Sequence, residues 1–120
     1  MQFDIKTTEK KNTALVQVQG DVDMYTSPSL RDILTRLFKK NVNAVVVDMT
    51  KVSFMDSSGI ATLVEGLQWS RKQNRQFILA GLGDTVYNAL SLTKLDNVFT
   101  IHENVHQAYE AITEKNMKET

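Results

Sequence analysis

The sequence predicts a single α/β domain: a mixed, mostly parallel sheet of four to five strands with about four helices packed on it, in the order ββαβαβαβα. Three observations lead there. Two stretches of alternating apolar and polar residues open the chain, a continuously apolar and β-branched run lies near its middle, and helical and strand patterns then take turns to the end. With 120 residues, 42% of them apolar, the chain can bury one core without covalent staples and leaves little for a second domain. The expected domain spans residues 1–120 and frays from about residue 115 in the polar tail.

Phe3 and Ile5 alternate with polar neighbours, as do Ala14, Val16 and Val18, which gives strands at 2–7 and 13–19 joined by a polar turn at Lys10-Lys11-Asn12. Ser27 followed by Pro28 starts a helix: the hydroxyl caps free amides, and proline, lacking an N–H, loses nothing in the first turn. Leu30, Ile33, Leu34, Leu37 and Phe38 share one face of that helix. Residues 44–49, AVVVDM, are apolar up to Asp48, the pattern of a central strand covered on both sides. After Gly59, the residues Ile60, Leu63, Val64 and Leu67 recur at helical spacing and predict a helix over about 57–73. Phe77–Ala80 reads as a buried strand, Asp84–Thr93 as a short helix, and Val98–Ile101 as a strand. A closing helix runs from Asn104 to about Met117, with Val105, Ala108, Tyr109 and Ile112 turned inward.

Fourteen basic residues balance fourteen acidic ones without a dense basic patch, so neither nucleic acid nor an anionic membrane is an expected partner. The absence of cysteine removes disulfides and thiolate metal sites, in keeping with a reducing compartment. The polar start MQFDIKTTEKK lacks the features of a signal peptide, and no apolar run approaches the roughly 20 residues of a bilayer span. A soluble, cytoplasmic protein is expected.

Two segments match chemical motifs on paper. His102-Glu103-Asn104-Val105-His106 has the H-E-x-x-H spacing of a zinc site, in which two imidazoles one helical turn apart hold the metal. Here the strand pattern runs through Ile101 and the helical stripe starts at Val105, so His102 precedes the helix, and the chain has no third histidine. A capped helix start is the better reading. Gly81-Leu82-Gly83-Asp84 follows a strand and opens a helix, as a dinucleotide fingerprint does, but Val86 stands where the third glycine belongs. Asp84 would also place a carboxylate where the pyrophosphate sits, so a glycine turn with Asp84 capping the next helix is preferred.

The remaining constellation is Asp56-Ser57-Ser58-Gly59, between the apolar run and the helix after it. A hydroxyl there sits at the edge of the sheet, exposed, with unpaired backbone amides beside it. A nucleophilic serine needs a base, and the histidines lie far downstream while the G-x-S-x-G elbow is absent. Plain helix capping by Asp56 or Ser57 is one alternative. The other makes the serine an acceptor of phosphate from a second protein, a modification that adds about −1.5 to −2 charges.

The stretches DMTKVSFMDSSGIATL, VQVQGDVDMYTSPSL and LTKLDNVFTIHENVHQAYEAI together resemble the STAS domain of bacterial anti-sigma factor antagonists over nearly the whole chain. The resemblance implies a STAS-type fold and a phosphoacceptor serine directly after the aspartate, at Ser57, with Ser58 as the less favoured neighbour. It also implies that the turn Gly20-Asp21-Val22-Asp23 lies beside the phosphosite and helps bind the kinase partner, a role carried to Asp23 and shared by Asp21, Asp56, Ser57, Ser58 and Gly59. Trp69, the sole tryptophan, falls about half a turn from the apolar stripe of its helix and reads either as a further interface anchor or as an ordinary exposed aromatic. Where the family commonly reads Gly-Leu-Gly after the serines, this chain has Gly59-Ile60-Ala61, and alanine in the first turn favours the helix.

The implied mechanism is partner switching. The unphosphorylated protein binds an anti-sigma factor with an ATP-binding serine kinase fold, phosphorylation of Ser57 releases it, and a serine phosphatase resets the cycle. The chain is then a substrate and a ligand, not an enzyme, and needs neither cofactor nor metal. A STAS module serving another signalling or transporter complex, without a sigma-factor output, is the alternative.

Overall fold

A computed structural model describes residues 2–40 and 42–119, with 114–119 described by backbone alone. Nine elements follow one another: β1 (Asp4–Lys10), β2 (Thr13–Val22), α1 (Ser27–Lys39), β3 (Ala44–Met55), α2 (Ser57–Lys72), β4 (Gln76–Ala80), α3 (Asp84–Leu92), β5 (Thr100–His102) and α4 (Val105–Glu119). The strands form one sheet in sequence order, with β1 antiparallel to β2 and the remaining pairs parallel. The expected ββαβαβαβα order and mixed, mostly parallel sheet are what the chain adopts, with five strands of the four to five expected.

The hairpin between β1 and β2 closes through Lys11 and Asn12, both at positive φ (52° and 63°), the backbone twist that suits a two-residue hairpin turn. The apolar run behaves as its pattern requires. Val45 and Val47 enter the larger core, together with Leu30, Leu34 and Phe38 of α1, Leu63 and Leu67 of α2, and Val86 and Leu90 of α3. Ala44 and Val46 face the other side, where Ile78, Ala80 and the α4 residues Ala108 and Ile112 complete a second, smaller core. Three helices thus cover one face of the sheet and α4 covers part of the other. Phe77 links the larger core across its width, its ring centroid 6.0 Å from that of Phe38 and 6.5 Å from that of Phe99.

Several boundaries differ from the sequence pattern. β1 is displaced to Asp4–Lys10 and β2 extends to Val22, so Gly20, Asp21 and Val22 are strand residues and only Asp23 begins the turn. Pairing with β3 continues through two register shifts, Gly20 taking φ 96° at the second. Ser27 is the buried first residue of α1 rather than its cap; Thr26 holds the cap position without a side-chain cap bond. Asp84 likewise sits inside α3, whose cap position is Gly83, and contributes its charge to the first turn instead. β5 begins two residues later than expected because Val98 and Phe99 belong to the preceding turn, where the Phe99 side chain is buried in the core. The closing helix starts under a side-chain cap, Asn104 Oδ1 accepting from the Gln107 N–H at 2.8 Å, and runs through Glu119. The expected fraying concerns Thr120 and the side chains of 114–119, which lie outside the described residues.

Gly81 carries the chain out of β4 at φ +72°, and a Cβ there would fall on the Thr50 hydroxyl, itself bonded to Asp48 Oδ1 at 2.6 Å. Gly81→Ala is therefore expected to lose about 1–3 kcal/mol of stability, through backbone strain and displacement of Thr50. Urea denaturation with an unchanged m-value measures it.

Candidate functional site

β3 is longer than its neighbour β4. Their pairing ends at Asp48 opposite Ala80, and beyond that point β3 runs on against β2 alone as far as Met55 opposite Val22. Both strands stop together, and the Asp56 N–H donates to the Val22 carbonyl at 3.1 Å, tying the start of α2 to the end of β2. The fit is close. A Cβ on Gly59 would lie 2.5 Å from Met55 Cγ, 2.9 Å from Val22 Cγ1 and 3.1 Å from the Val22 oxygen, so only glycine lets the first turn of α2 rest on that strand end.

Asp56 is extended (φ −94°, ψ −172°) and caps α2, Oδ1 accepting from the Ser58 N–H at 2.8 Å and the Gly59 N–H at 3.3 Å. The amides expected to lie open beside the serines are thus partly satisfied by Asp56, and the positive end of the helix is offset by an adjacent carboxylate. Asp56→Ala is expected to cost about 1 kcal/mol, while Asp56→Asn, which keeps the acceptor oxygen, costs a few tenths. Paired thermal melts of the two variants check this.

Ser57 is the first helical residue and exposed, and its hydroxyl has no hydrogen-bond partner among the described residues. Ser58 is half-buried, with its carbonyl accepting from Thr62 Oγ1 at 3.0 Å. Ala61 is exposed, so a methyl there meets no neighbouring element. No histidine reaches the junction: His102 ends β5, separated from β3 by β4, and His106 lies on α4 beside Glu110, 2.5 Å away. The same separation disposes of the H-E-x-x-H spacing, since its two imidazoles sit on different elements. Among the described residues no group of three or more histidine or carboxylate side chains stands together for a metal, and no helix is long and apolar enough to cross a membrane. Burial raises the Tyr109 phenol above its usual value, but on α4, across the sheet from Ser57.

The β2–α1 turn completes the site. Asp23 Oδ1 accepts from the Tyr25 and Thr26 N–H groups at 2.9 and 3.1 Å, and its carbonyl accepts from the Ser27 N–H at 2.8 Å, so this aspartate rather than Ser27 organises the start of α1. Asp21 is exposed on the last strand residues. Strand register therefore brings Asp21 and Asp23 alongside Asp56, Ser57, Ser58 and Gly59. It does not bring Trp69, which lies twelve residues beyond Ser57, roughly 18 Å along α2, in the cleft against α1 with Arg31, Leu34 and Phe38. The sequence pattern also left out Met24 and Tyr25, which stand 63% and 83% exposed in the same turn; large apolar side chains flanking the Asp23-x-x-Thr26 turn are the signal that could have marked them.

Comparison with known proteins adds four findings. A family model described as the STAS domain matches residues 4–108. An anti-sigma-B factor antagonist from Staphylococcus aureus is 27% identical over 103 residues, which is 86% of this chain and 95% of the relative. Among solved structures, an anti-sigma factor antagonist from Mycobacterium paratuberculosis superposes with a TM-score of 0.84 at 23% identity, covering 93% of this chain and 95% of the other. The Bacillus cell fate determinant SpoIIAA in its phosphorylated form superposes with a TM-score of 0.71 at 16% identity, covering 92% and 99%.

Proposed function

The chain belongs to the STAS domain family, and from that premise we propose that it is an anti-sigma factor antagonist that works by partner switching, with Ser57 as the phosphoacceptor. The observation that carries the reading is the Ser57 hydroxyl: exposed, at the first position of a helix, and with neither a hydrogen-bond partner nor a base of its own among the described residues. Such a hydroxyl is inert until another protein's active centre supplies the base and the nucleotide. The likeness to antagonists of anti-sigma factors supports the same partner class.

In this account the unmodified protein binds an anti-sigma factor that has an ATP-binding serine kinase fold, and the sigma factor is freed. In the kinase step Ser57 Oγ forms a bond to the γ-phosphorus of ATP, the bond from that phosphorus to the bridging oxygen breaks, ADP leaves, and the hydroxyl proton passes to the kinase's base. The phosphoryl group adds about −1.5 to −2 charges beside the Asp56 carboxylate. A partner surface that accommodated a neutral hydroxyl then meets a desolvated dianion, and the complex parts. A serine phosphatase hydrolyses the phosphoester and restores binding.

Affinity capture of the protein from its native host, with mass spectrometry of the fragment Val52–Arg71, tests the proposal. An anti-sigma factor kinase in the eluate together with phosphate on Ser57 supports it. A transporter or scaffold partner with Ser57 unmodified would assign the fold to another signalling task.

A further inference from the structure

Resting on Ser57 as the phosphoacceptor, we propose that Asp56 is a positioning residue of the switch: it withholds the amides at the start of α2 from the phosphoryl group and keeps that group turned outward, where a partner must meet it. A phosphorylated residue at the start of a helix ordinarily finds a place within its own chain. Open N–H groups and the positive end of the helix draw the phosphate in, and charge-assisted bonds dock it there. Here that place is taken. Asp56 Oδ1 accepts from the Ser58 N–H at 2.8 Å and the Gly59 N–H at 3.3 Å, the Asp56 carbonyl accepts from the Ile60 N–H at 3.1 Å, and the Asp56 N–H donates to the Val22 carbonyl. Between Asp56 and Ile60 only the Ser57 N–H is left without a partner among the described residues.

The carboxylate is also held where it is. The bond from the Asp56 N–H to Val22 ties its backbone to the end of β2, and Gly59, which has no room for a Cβ, seats the first turn of α2 against Met55 and Val22. A phosphate is the stronger acceptor, but to take the two amides it must expel a like charge from a cap worth about 1 kcal/mol. The adjoining turn offers no substitute. Asp23 Oδ1 accepts from the Tyr25 and Thr26 N–H groups, and Asp21 stands exposed at the end of β2. Each of these carboxylates repels a phosphate, so the favourable direction for the group is away from the chain. The cost of desolvating it then falls on the complex, which is what a switch requires.

Asparagine and alanine separate the two things the Asp56 side chain does. Asparagine keeps an oxygen for the amides and removes the charge; alanine removes both. The test uses the full-length protein made with phosphoserine encoded at position 57, carrying Asp56, Asp56→Asn or Asp56→Ala, so that no kinase is needed. Phosphorus NMR follows the second ionisation of the phosphate, and proton–nitrogen NMR follows the Ser58 and Gly59 amides. A neighbouring carboxylate raises that ionisation, whereas hydrogen bonds to the dianion lower it. The expected order is highest in the parent, lower in Asp56→Asn, and lowest in Asp56→Ala, where alone the two amides shift as the phosphate titrates. Phosphorylation also lowers the melting temperature of the parent and raises that of Asp56→Ala, in which the phosphate becomes the cap. Asp56→Ala titrating like Asp56→Asn, with silent amides, would show that Asp56 withholds nothing and overturn the proposal. So would Ser58 and Gly59 amides that follow the phosphate in the parent. Calorimetry against the purified anti-sigma factor of its host with ADP reads the use of the arrangement: phosphoserine weakens the parent at least about tenfold, and weakens Asp56→Ala by a factor at least about threefold smaller. An equal loss in the two proteins overturns the role in switching. A parent that binds equally well with and without phosphate defeats the proposed function and this role with it, while the titration, which needs no partner, still decides where the phosphate lies.

Discussion

Replacing Ser57 with aspartate is expected to weaken binding to the anti-sigma factor at least tenfold, about 1.4 kcal/mol, whereas Ser57→Ala binds as the parent does and takes up no phosphate. The asymmetry follows from what surrounds the hydroxyl. Ser57 makes no side-chain hydrogen bond among the described residues, so alanine removes nothing the fold uses. Aspartate adds a charge next to Asp56, whose Oδ1 already occupies the Ser58 and Gly59 amides that would otherwise receive it. The added carboxylate must therefore be buried against the partner without compensation, which is costly for a single charge. Calorimetry at two ionic strengths reads both the loss and its electrostatic origin, since repulsion between partly exposed charges shrinks with salt. Equal affinities for the two variants would remove Ser57 from the switch.

Gly59→Ala is the second large effect, this time on the fold. In an ordinary first turn the change would favour the helix by up to about 1 kcal/mol. Here the new methyl meets Met55 Cγ, Val22 Cγ1 and the Val22 carbonyl, atoms near or on the backbone of two strand ends that are themselves buried. The first turn of α2 must lift from β2 or the strands must part. A net loss of about 1–3 kcal/mol is expected, and with it a strained bond between the Asp56 N–H and the Val22 carbonyl. Thermal and urea denaturation give the first quantity; exchange at the Asp56 amide gives the second. The contrast with Ala61, whose side chain is exposed two residues further on, is the internal control: Ala61→Gly should cost only helix propensity.

Much of this architecture was readable because burial imposes a period. AVVVDM announces a central strand, since Val45 and Val47 meet one core while Ala44 and Val46 meet the other. The α1 stripe of Leu30, Leu34, Leu37 and Phe38 is equally plain for the same reason. The second half of β3 was not readable: Thr50–Met55 pairs with one neighbour only and mixes buried Val52 and Met55 with exposed Lys51, Ser53 and Phe54, which erases the apolar run. The helix cap at Ser27 failed on a local ambiguity, because Asp23 reaches forward four residues and satisfies the amides first.

The candidate site divides in the same way. Asp56 and Ser57 announce themselves as a cap followed by a hydroxyl, a pattern that lies within four consecutive residues. Their neighbours do not. That Asp21 and Asp23 flank the Asp56–Ser57 junction depends on Val22 lying opposite Met55, a pairing between residues far apart in the chain that no local spacing encodes. Gly59, which the sequence marks only as a member of the partner-binding group, proves to be a packing requirement, which the approach of Val22 and Met55 explains.

The most direct test of the central claim is the phosphorylation reaction itself: the purified protein incubated with the anti-sigma factor of its host and ATP, with the modified residue mapped by mass spectrometry. The account predicts one phosphoryl group per chain, on Ser57, retained in Ser58→Ala and abolished in Ser57→Ala. Phosphate on Ser58 instead, or no transfer from a kinase shown to bind the protein, would contradict it.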